Sequence, residues 1–240
     1  MVSRAPAAWY WSHDIKPDQI DYVATPGMRL QRLSHYGSGD RRRFAAVVYQ
    51  QPGAARTYAL DLDAAALESL LRETPARPVA ITVDDAVPPR FSVVLDSGTG
   101  PPSAVHVELD EAGVGALLDG SHAIADLAVH GADGARRYAV VVERRAADSS
   151  FLSGIPAERL DSTLRSLDAS VTRLREYSDG GRRMLAAVVE RPKGRSRAYA
   201  GLDADGVARK LEDNDAYPID LDAIRDEHGP RFTVVMDSDR

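Results

Sequence analysis

The sequence predicts an α+β repeat protein in which five units of about 47 residues, each with three strands and one helix, close into a five-bladed α/β propeller-like ring. The first observation is an apolar strand motif, here called the organising strand, which occurs at 43–49, 90–96, 137–143, 184–190 and 231–237. Its central valines are each 47 residues apart: Val47, Val94, Val141, Val188 and Val235. A fixed spacing held over five copies is typical of a repeat architecture.

The two ends of the chain are the second observation. Trp11 lies 47 residues before Tyr58, in the position of a third strand that follows the organising strand, whereas the fifth unit ends before its own third strand. We therefore expect the strand at 8–11 to complete the last unit and close the ring, which would leave no long sheet edge exposed. The chain is then one repeat domain, 1–240, with units at 12–59, 60–106, 107–153, 154–200, and 201–240 plus 8–11.

The helix and the remaining strand of each unit follow from local signals. Asp63, Asp110 and Asp203 precede amphipathic segments and are expected to be helix N-caps, while Pro156 suits a first helical turn. A further strand is predicted before each organising strand, at 29–36, 79–83, 124–129, 171–177 and 219–224. Glycine-rich and polar turn residues between the two strands predict hairpins.

Composition narrows the classes of function. A net charge of −6 and a pI near 5.5 argue against nucleic acid as a partner, because phosphate binding needs a positive surface. The chain has no cysteine, and its six histidines lack ligand spacing, so neither a disulfide nor a metal site is expected. No signal peptide or membrane-spanning run is recognised. We expect a cytoplasmic protein with a small-molecule partner and no cofactor, nucleic acid or membrane; the oligomeric state stays open.

The first repeat carries a family resemblance. Trp9-Tyr10-Trp11, the run Pro17 to Ile20, the strand from Met28 to Tyr36 and the organising strand from Arg43 resemble the bacterial tandem-repeat domain. Similar repeats precede the catalytic domain of fungal polyglycine hydrolases. The resemblance implies no catalytic residue, because the hydrolase chemistry belongs to a serine-enzyme domain that this sequence lacks. The predicted ring is also similar to the pentein fold, but the cysteine of pentein enzymes is absent.

Alternation along the organising strand predicts one face for the helices and another for a central channel. The helix face carries Phe44, Ala46 and Val48. The other face begins with arginine in four copies, continues with a small residue and ends with an acid in four copies, the exceptions being Met184 and Tyr49. We expect arginines at one mouth of the channel to bind substrate: Arg43, Arg90, Arg137 and Arg231. Candidate catalytic residues would gather at the other mouth, about 20 Å away: Asp96, Glu143, Glu190, Asp237 and Tyr49.

Clustered carboxylates cannot all ionise cheaply, so some of these acids would have a raised pKa and could act as acid or base. The alternative is that they are solvated strand-end acids paired with neighbouring arginines such as Arg144 and Arg191. Both interpretations stay open at this point.

Two further groups are candidates for substrate binding. Tyr36, Val83, His130 and Tyr177 share one 47-residue register, and the three polar or aromatic members could form a pocket rim or pack at hairpin ends. His13, next to Asp14, could be a general base, although neighbours in sequence often point apart.

Two functions remain. The first is a small cofactor-independent enzyme that binds a metabolite and performs acid/base chemistry, namely dehydration, Michael-type addition or cyclisation, in specialised metabolism. An Ala-, Arg- and Asp-rich composition typical of actinobacteria suggests that setting. The alternative is a non-catalytic repeat module that recognises a ligand or protein.

Overall fold

The protein, described by a computed structural model for residues 5–25, 27–53, 56–84, 86–131 and 134–238, is built mainly of strands. Strands hold 53% of the residues and helices 20%. Both element types of the predicted α+β class are present, and strands predominate. Unit 1 contains β1 (Ala8–Ile15), α1 (Ile20–Val23), β2 (Met28–Tyr36) and β3 (Arg43–Gln50). Unit 2 contains β4 (Thr57–Leu62), α2 (Ala64–Glu73), β5 (Arg77–Val83) and β6 (Phe91–Asp96).

The other three units repeat this order. Unit 3 contains β7 (Ser103–Leu109), α3 (Glu111–Ala116), β8 (Ala123–His130) and β9 (Arg137–Glu143). Unit 4 contains β10 (Asp148–Pro156), α4 (Leu160–Ser166), β11 (Ser170–Asp179) and β12 (Arg182–Arg191). Unit 5 contains β13 (Arg197–Leu202), α5 (Ala204–Asp213), β14 (Tyr217–Asp226) and β15 (Gly229–Asp237). Short 3-10 turns occur at Pro17–Gln19, Gly39–Arg41 and Ala157–Arg159.

Each unit forms its own three-stranded antiparallel sheet, with the organising strand in the centre. In unit 1 the order is β1-β3-β2, and Trp11 lies opposite Val47. The prediction that the N-terminal strand completes the last unit is therefore wrong, because unit 5 has its own first strand, β13, paired with β15. The strand that follows each organising strand belongs to the next sheet, so the units begin one strand earlier than predicted.

Every first strand is interrupted by a β-bulge at an equivalent place. The backbone there is left-handed, at Asp14, Asp61, Glu108, Gly154 and Gly201. Glycine adopts this conformation without a steric penalty, whereas the three acids do so at a cost in backbone energy. The bulge bends the strand at the point where it leads into the helix.

The helices begin as the sequence predicts in three units. The carboxylates of Asp63, Asp110 and Asp203 accept backbone N–H hydrogen bonds at 2.8, 2.7 and 2.7 Å, which confirms them as N-caps. Pro156 instead ends β10, directly before a 3-10 turn.

The hydrophobic core consists of clusters that lie between neighbouring units. Phe44, Ala46 and Val48 pack with Ile20 of α1, as predicted for the helix face, and with Val94 of unit 2. Equivalent clusters join units 2 and 3, units 3 and 4, and units 4 and 5. Each unit therefore buries its helix face against the back of the next sheet.

The opposite face of the organising strand does not line a channel, which corrects the prediction. Ala45 and Val47 are buried against Phe232 and Val207 of unit 5, together with the partly buried Trp11. The small residue at this position lets neighbouring sheets approach closely. Unit 5 thus packs directly on unit 1.

The strands that directly precede the organising strands contact one another between units and are here called the inner strands: β2, β5, β8, β11 and β14. They confirm the strand predicted before each organising strand. Neighbouring inner strands are joined by hydrogen bonds to side chains. His35 N–H donates to Thr82 Oγ1 (3.1 Å) between units 1 and 2, and Ile81 N–H donates to Asp126 Oδ2 (2.8 Å) between units 2 and 3.

The same kind of bridge continues through the other units. Arg175 Nε donates to the Leu127 carbonyl between units 3 and 4, and Leu174 N–H donates to Asp220 Oδ2 (2.9 Å) between units 4 and 5. Ser34 of unit 1 accepts from Ala223 N–H of unit 5 at 3.0 Å and donates to Asp222 Oδ1 at 2.7 Å.

Candidate functional site

Two cavities open among the inner strands. The hairpin cavity, about 1350 Å³, lies where the inner strands run into their hairpins and is lined by residues such as Thr82, His130, Tyr177 and Asp222. The arginine cavity, about 270 Å³, is lined by Arg32, Arg56, Arg77, Arg145 and Arg173 with Glu143 and Glu190. Small-molecule sites measure about 300–1,000 Å³, so the first cavity is larger than such a site and a small ligand would fill only part of it. The second lies just below that range and suits a smaller ligand.

A buried ion cluster lies between the cavities, and Arg175 is its centre. Arg175 lies 2.5 Å from Asp126 Oδ1 and 2.6 Å from Asp220 Oδ2. Its remaining donors bind the Leu127 and Leu174 carbonyls. A guanidinium carries five N–H donors, so one side chain ties together three neighbouring inner strands.

The pKa shifts in this cluster reflect burial against charge. Burial alone would lower the pKa of Arg175, but Asp220 and Asp126 raise it above its ordinary value. Burial would likewise raise the pKa of Asp220, and the arginines around it lower it instead. Burial lowers the pKa of Arg173 to about 10, and the charge of Arg32 adds to this effect.

Asp222 forms part of the hairpin cavity wall. Its Oδ1 accepts from Ser34 Oγ, and its Oδ2 accepts from Glu176 N–H at 3.3 Å. Burial raises the pKa of Asp222 to about 6, although Arg175 and the Ser34 hydrogen bond oppose the shift. A carboxyl with this pKa exchanges protons near neutral pH.

Arginines surround the same cavity. Arg42 lies 2.5 Å from Asp61, and Arg136 stacks 4.5 Å from the centre of the Tyr177 ring. Arg137 donates to a backbone carbonyl at 2.8 Å. Within the described part of the chain, the guanidinium groups of Arg137 and Arg225 have no carboxylate within 4 Å. These two cations are placed to meet an anionic ligand.

The predicted catalytic acids are partly brought together, at the other cavity. Arg77 lies 3.0 Å from Asp96 and 3.5 Å from Glu143. Arg145 lies 3.9 Å from Glu143 and 2.7 Å from Glu190. The acids are thus paired with arginines, as in the alternative interpretation, although the partners are not the Arg144 and Arg191 named there.

Two of the predicted catalytic residues lie elsewhere. Tyr49 is buried between units 1 and 5, where its hydroxyl donates to the Pro218 carbonyl at 2.5 Å. Burial raises the pKa of Tyr49 well above its usual range. Asp237 contacts the following backbone N–H and lines neither cavity.

The expectation of a raised pKa is wrong for Asp96. Burial would raise the pKa of this carboxyl, but the Gly98 N–H and the guanidinium groups of Arg56, Arg29 and Arg77 lower it below its ordinary value. Asp96 therefore stays ionised and holds arginines in place.

The predicted arginine mouth is also dispersed. Arg43 pairs with Asp14 at 3.0 Å and Arg231 with Asp226 at 3.2 Å, while Arg90 lies 3.5 Å from the helix cap Asp63. Each of these partners belongs to the same unit as its arginine. Only the fourth member of the set, Arg137, lines the hairpin cavity.

Tyr36, His130 and Tyr177 line the hairpin cavity, as the pocket-rim interpretation expects. Their polar atoms face the bulges of the first strands. Tyr36 and Tyr177 accept the N–H groups of Asp14 and Gly154 at 2.9 and 3.0 Å, and His130 Nε2 lies 3.6 Å from Glu108 Oε1.

Val83 and His13 differ from the predicted arrangement. Val83 pairs with Phe91 and so shares the register of His35, because β5 is shifted by one residue. His13 stacks on Trp11 at 5.3 Å and contacts Phe232, whereas Asp14 turns to Arg43. The two neighbours point apart.

Sequence reasoning missed the charges of the buried ion cluster. Arg32, Asp126, Arg173 and Asp220 stand in one 47-residue register within the predicted strands. Charged residues are rarely buried unless paired, so this register was a usable signal for a buried polar cluster. Asp222 lies two residues beyond the last of them.

Among the described residues, no group of three or more His, Asp or Glu side chains is arranged to hold a metal ion. No helix in the same part of the chain has the length and apolarity needed to cross a bilayer. A scan against protein-family models finds no match, and a search of curated proteins finds no relative. The chain is thus defined by its structure, as a repeat protein of five β-rich units.

Proposed function

We propose that the protein is a cofactor-independent enzyme that binds a small anionic metabolite in the hairpin cavity and uses Asp222 as its general acid and base. The observation that carries this proposal is the wall of the cavity, where a carboxyl faces the same space as Arg137 and Arg225. Guanidinium groups bind carboxylate and phosphate oxygens in fixed geometry. Asp222 would then meet a substrate held by its anionic group.

The proposed architecture is a closed five-bladed ring with the hairpin cavity on its axis. Two contacts between unit 5 and unit 1 support closure: the core around Phe232 and Val47, and the hydrogen bonds of Ser34 to Ala223 and Asp222. A site built by several units around one axis needs such closure to hold its groups in place.

The proposed reaction class is dehydration, addition or cyclisation. In a dehydration, ionised Asp222 takes a proton from the carbon beside a carbonyl group, and that C–H electron pair becomes the new C=C bond. The β-hydroxyl leaves with its bonding electrons and receives the proton from Asp222, so water forms and the carboxylate is restored. A carboxyl with a pKa of about 6 suits both halves of this cycle near neutral pH.

Recognition without catalysis is the second candidate. It is favoured by the hydroxyls of Tyr36 and Tyr177, which already accept backbone hydrogen bonds and so resemble structural groups. We place either activity in the cytoplasm on the sequence arguments given above.

The test is a thermal-shift screen with small carboxylates and phosphate esters, followed by product analysis by NMR. Arg225→Gln and Arg137→Gln should weaken binding of any hit, whereas the control Arg165→Gln, an exposed residue of α4, should not. Asp222→Asn should bind the hit and lose turnover. Binding without turnover in the wild type would favour recognition, and binding unaffected by either cavity arginine would refute the proposed site.

A further inference from the structure

The arginine cavity is a second site, separate from the hairpin cavity. We propose that it binds a compact oxyanion of the phosphate type. Five arginines line it against two glutamates, so positive charge predominates on its surface. Inner-strand residues Arg32 and Arg173 form its floor with Thr172, and Arg145 and Glu190 stand at its edge.

The carboxylates behind the wall do not balance these cations. Three arginines share the single charge of Asp96: Arg29 at 2.6 Å, Arg77 at 3.0 Å and Arg56 at 3.2 Å. Two of them, Arg56 and Arg77, also face the cavity. One carboxylate shared by three guanidinium groups leaves a net positive charge, which a further anion in the cavity would offset.

Two of the arginines that line the cavity are incompletely paired. The Nε atoms of Arg32 and Arg77 are buried and make no hydrogen bond to the described residues. Arg32 is only 9% exposed, and its Nε lies 3.4 Å from Asp220 Oδ1 without hydrogen-bond geometry. An unmet buried donor destabilises a protein, so the described residues do not fully compensate these two guanidinium groups.

Electrostatics agree with this geometry. Burial, together with the nearby charges of Arg29 and Arg32, lowers the pKa of Arg56 to about 10 against the attraction of Asp96. Arg173 shows the same direction for the same reasons. A bound anion would oppose both shifts by stabilising the charged guanidinium.

The volume suits a small ligand. A water molecule occupies roughly 30 Å³ of liquid, so about 270 Å³ accommodates phosphate with a few waters. Inorganic phosphate is therefore the probe, measured by calorimetry and thermal shift against sodium chloride of matched ionic strength.

Two single substitutions should act in opposite directions. Arg145→Gln removes a cation at the cavity edge and should weaken phosphate binding about tenfold. Glu190→Gln removes a repelling carboxylate and frees Arg145, which it now holds at 2.7 Å, so binding should tighten several-fold. Matched controls are Arg165→Gln and Glu158→Gln, both of exposed residues, which should leave binding unchanged.

The opposite signs keep the proposal open to refutation. It fails if phosphate stabilises the wild type no more than chloride does, or if Arg145→Gln and Glu190→Gln shift affinity the same way. It also fails if Arg225→Gln, in the hairpin cavity, abolishes phosphate binding, because the ion would then occupy the other site. Loss of metabolite binding in the hairpin cavity, with phosphate binding intact, would refute only the proposed function.

Discussion

Substitution of Arg175 by methionine tests the physical basis of the inner strands. The side chain binds two buried carboxylates, Asp126 and Asp220, and two backbone carbonyls. Methionine fills similar volume but supplies no donor. The substitution therefore leaves both carboxylates in the interior without their main cation.

The expected cost is large. Removing one partner of a buried ion pair destabilises a protein by about 3–5 kcal/mol, and here one arginine serves two acids, so we expect roughly 4–5 kcal/mol. For a chain of this size each kcal/mol lowers the melting temperature by about 2–4 °C, which gives a fall of roughly 8–20 °C. Total stabilities are about 5–15 kcal/mol, so the variant stays folded only where the wild-type stability exceeds this loss.

The assay is urea and thermal unfolding followed by circular dichroism, with Arg165→Met as the matched control on the surface. The deficit should shrink in acid. In the wild type the pKa of Asp220 is lowered, so its stabilising effect is present above its unfolded pKa and is lost as pH falls through the folded value. In the variant the same carboxyl can protonate and escape its uncompensated charge.

A second substitution separates the ionic effect from packing. Asp220→Asn in the Arg175→Met background removes one of the unpaired charges, so it should recover part of the lost stability, although the same change in the wild type should be destabilising. A loss below about 1 kcal/mol for Arg175→Met, or no recovery in the double variant, would refute the view that this ion cluster joins the inner strands.

Three other predictions concern stability. As pH rises from 4 to 7, the wild type should lose about 1–3 kcal/mol of unfolding free energy relative to Asp222→Asn. The pKa of Asp222 is raised from 3.8 to about 6, so its contribution to stability is fully present below its unfolded pKa and is lost as pH rises through its folded pKa. A constant difference between the two proteins at all pH values would contradict this. Tyr49→Phe leaves the Pro218 carbonyl without its donor and should cost about 1–3 kcal/mol in urea unfolding; a cost near zero would mean that the carbonyl finds another donor. Asp203→Ala removes the cap of α5 and should cost about 1 kcal/mol, with Asp203→Asn as the milder control; equal losses for both would exclude the capping hydrogen bond as the cause.

The repeat length, the inner strands and three helix caps could be predicted from sequence because each depends on local pattern. The pairing of Trp11 opposite Val47 could not. A strand that could join either of two sheets shows the same alternation of apolar and polar residues in both cases. Only long-range packing decides which sheet it joins. Consecutive strands usually pair, which favours pairing of each first strand with the organising strand before it in the chain. In the structure each first strand instead pairs with the organising strand of its own unit, which follows the helix.

The face of the organising strand was misjudged for a related reason. Small residues such as Ala45 and Ala139 indicate close approach of strands, and the sequence does not say whether the approach is around an axis or between stacked sheets. Both faces turned out to be core. The polar groups that line the cavities therefore lie largely on the inner strands. Asp222 is one of them, and no sequence motif marks its position.

The buried ion cluster around Arg175 bears on both proposed sites. Its carboxylates and guanidiniums are not evenly distributed: Arg32 and Arg173 face the arginine cavity, whereas Asp222 faces the hairpin cavity together with Arg175. Arg175 is paired with Asp126 and Asp220, and its charge opposes but does not cancel the effect of burial, which leaves Asp222 with a raised pKa. Arg32 and Arg173 are less completely paired, at 3.4 and 3.8 Å from the same two acids, so they present positive charge on their side. One shared pair of aspartates would thus support both the proposed proton exchange in one cavity and the proposed anion binding in the other.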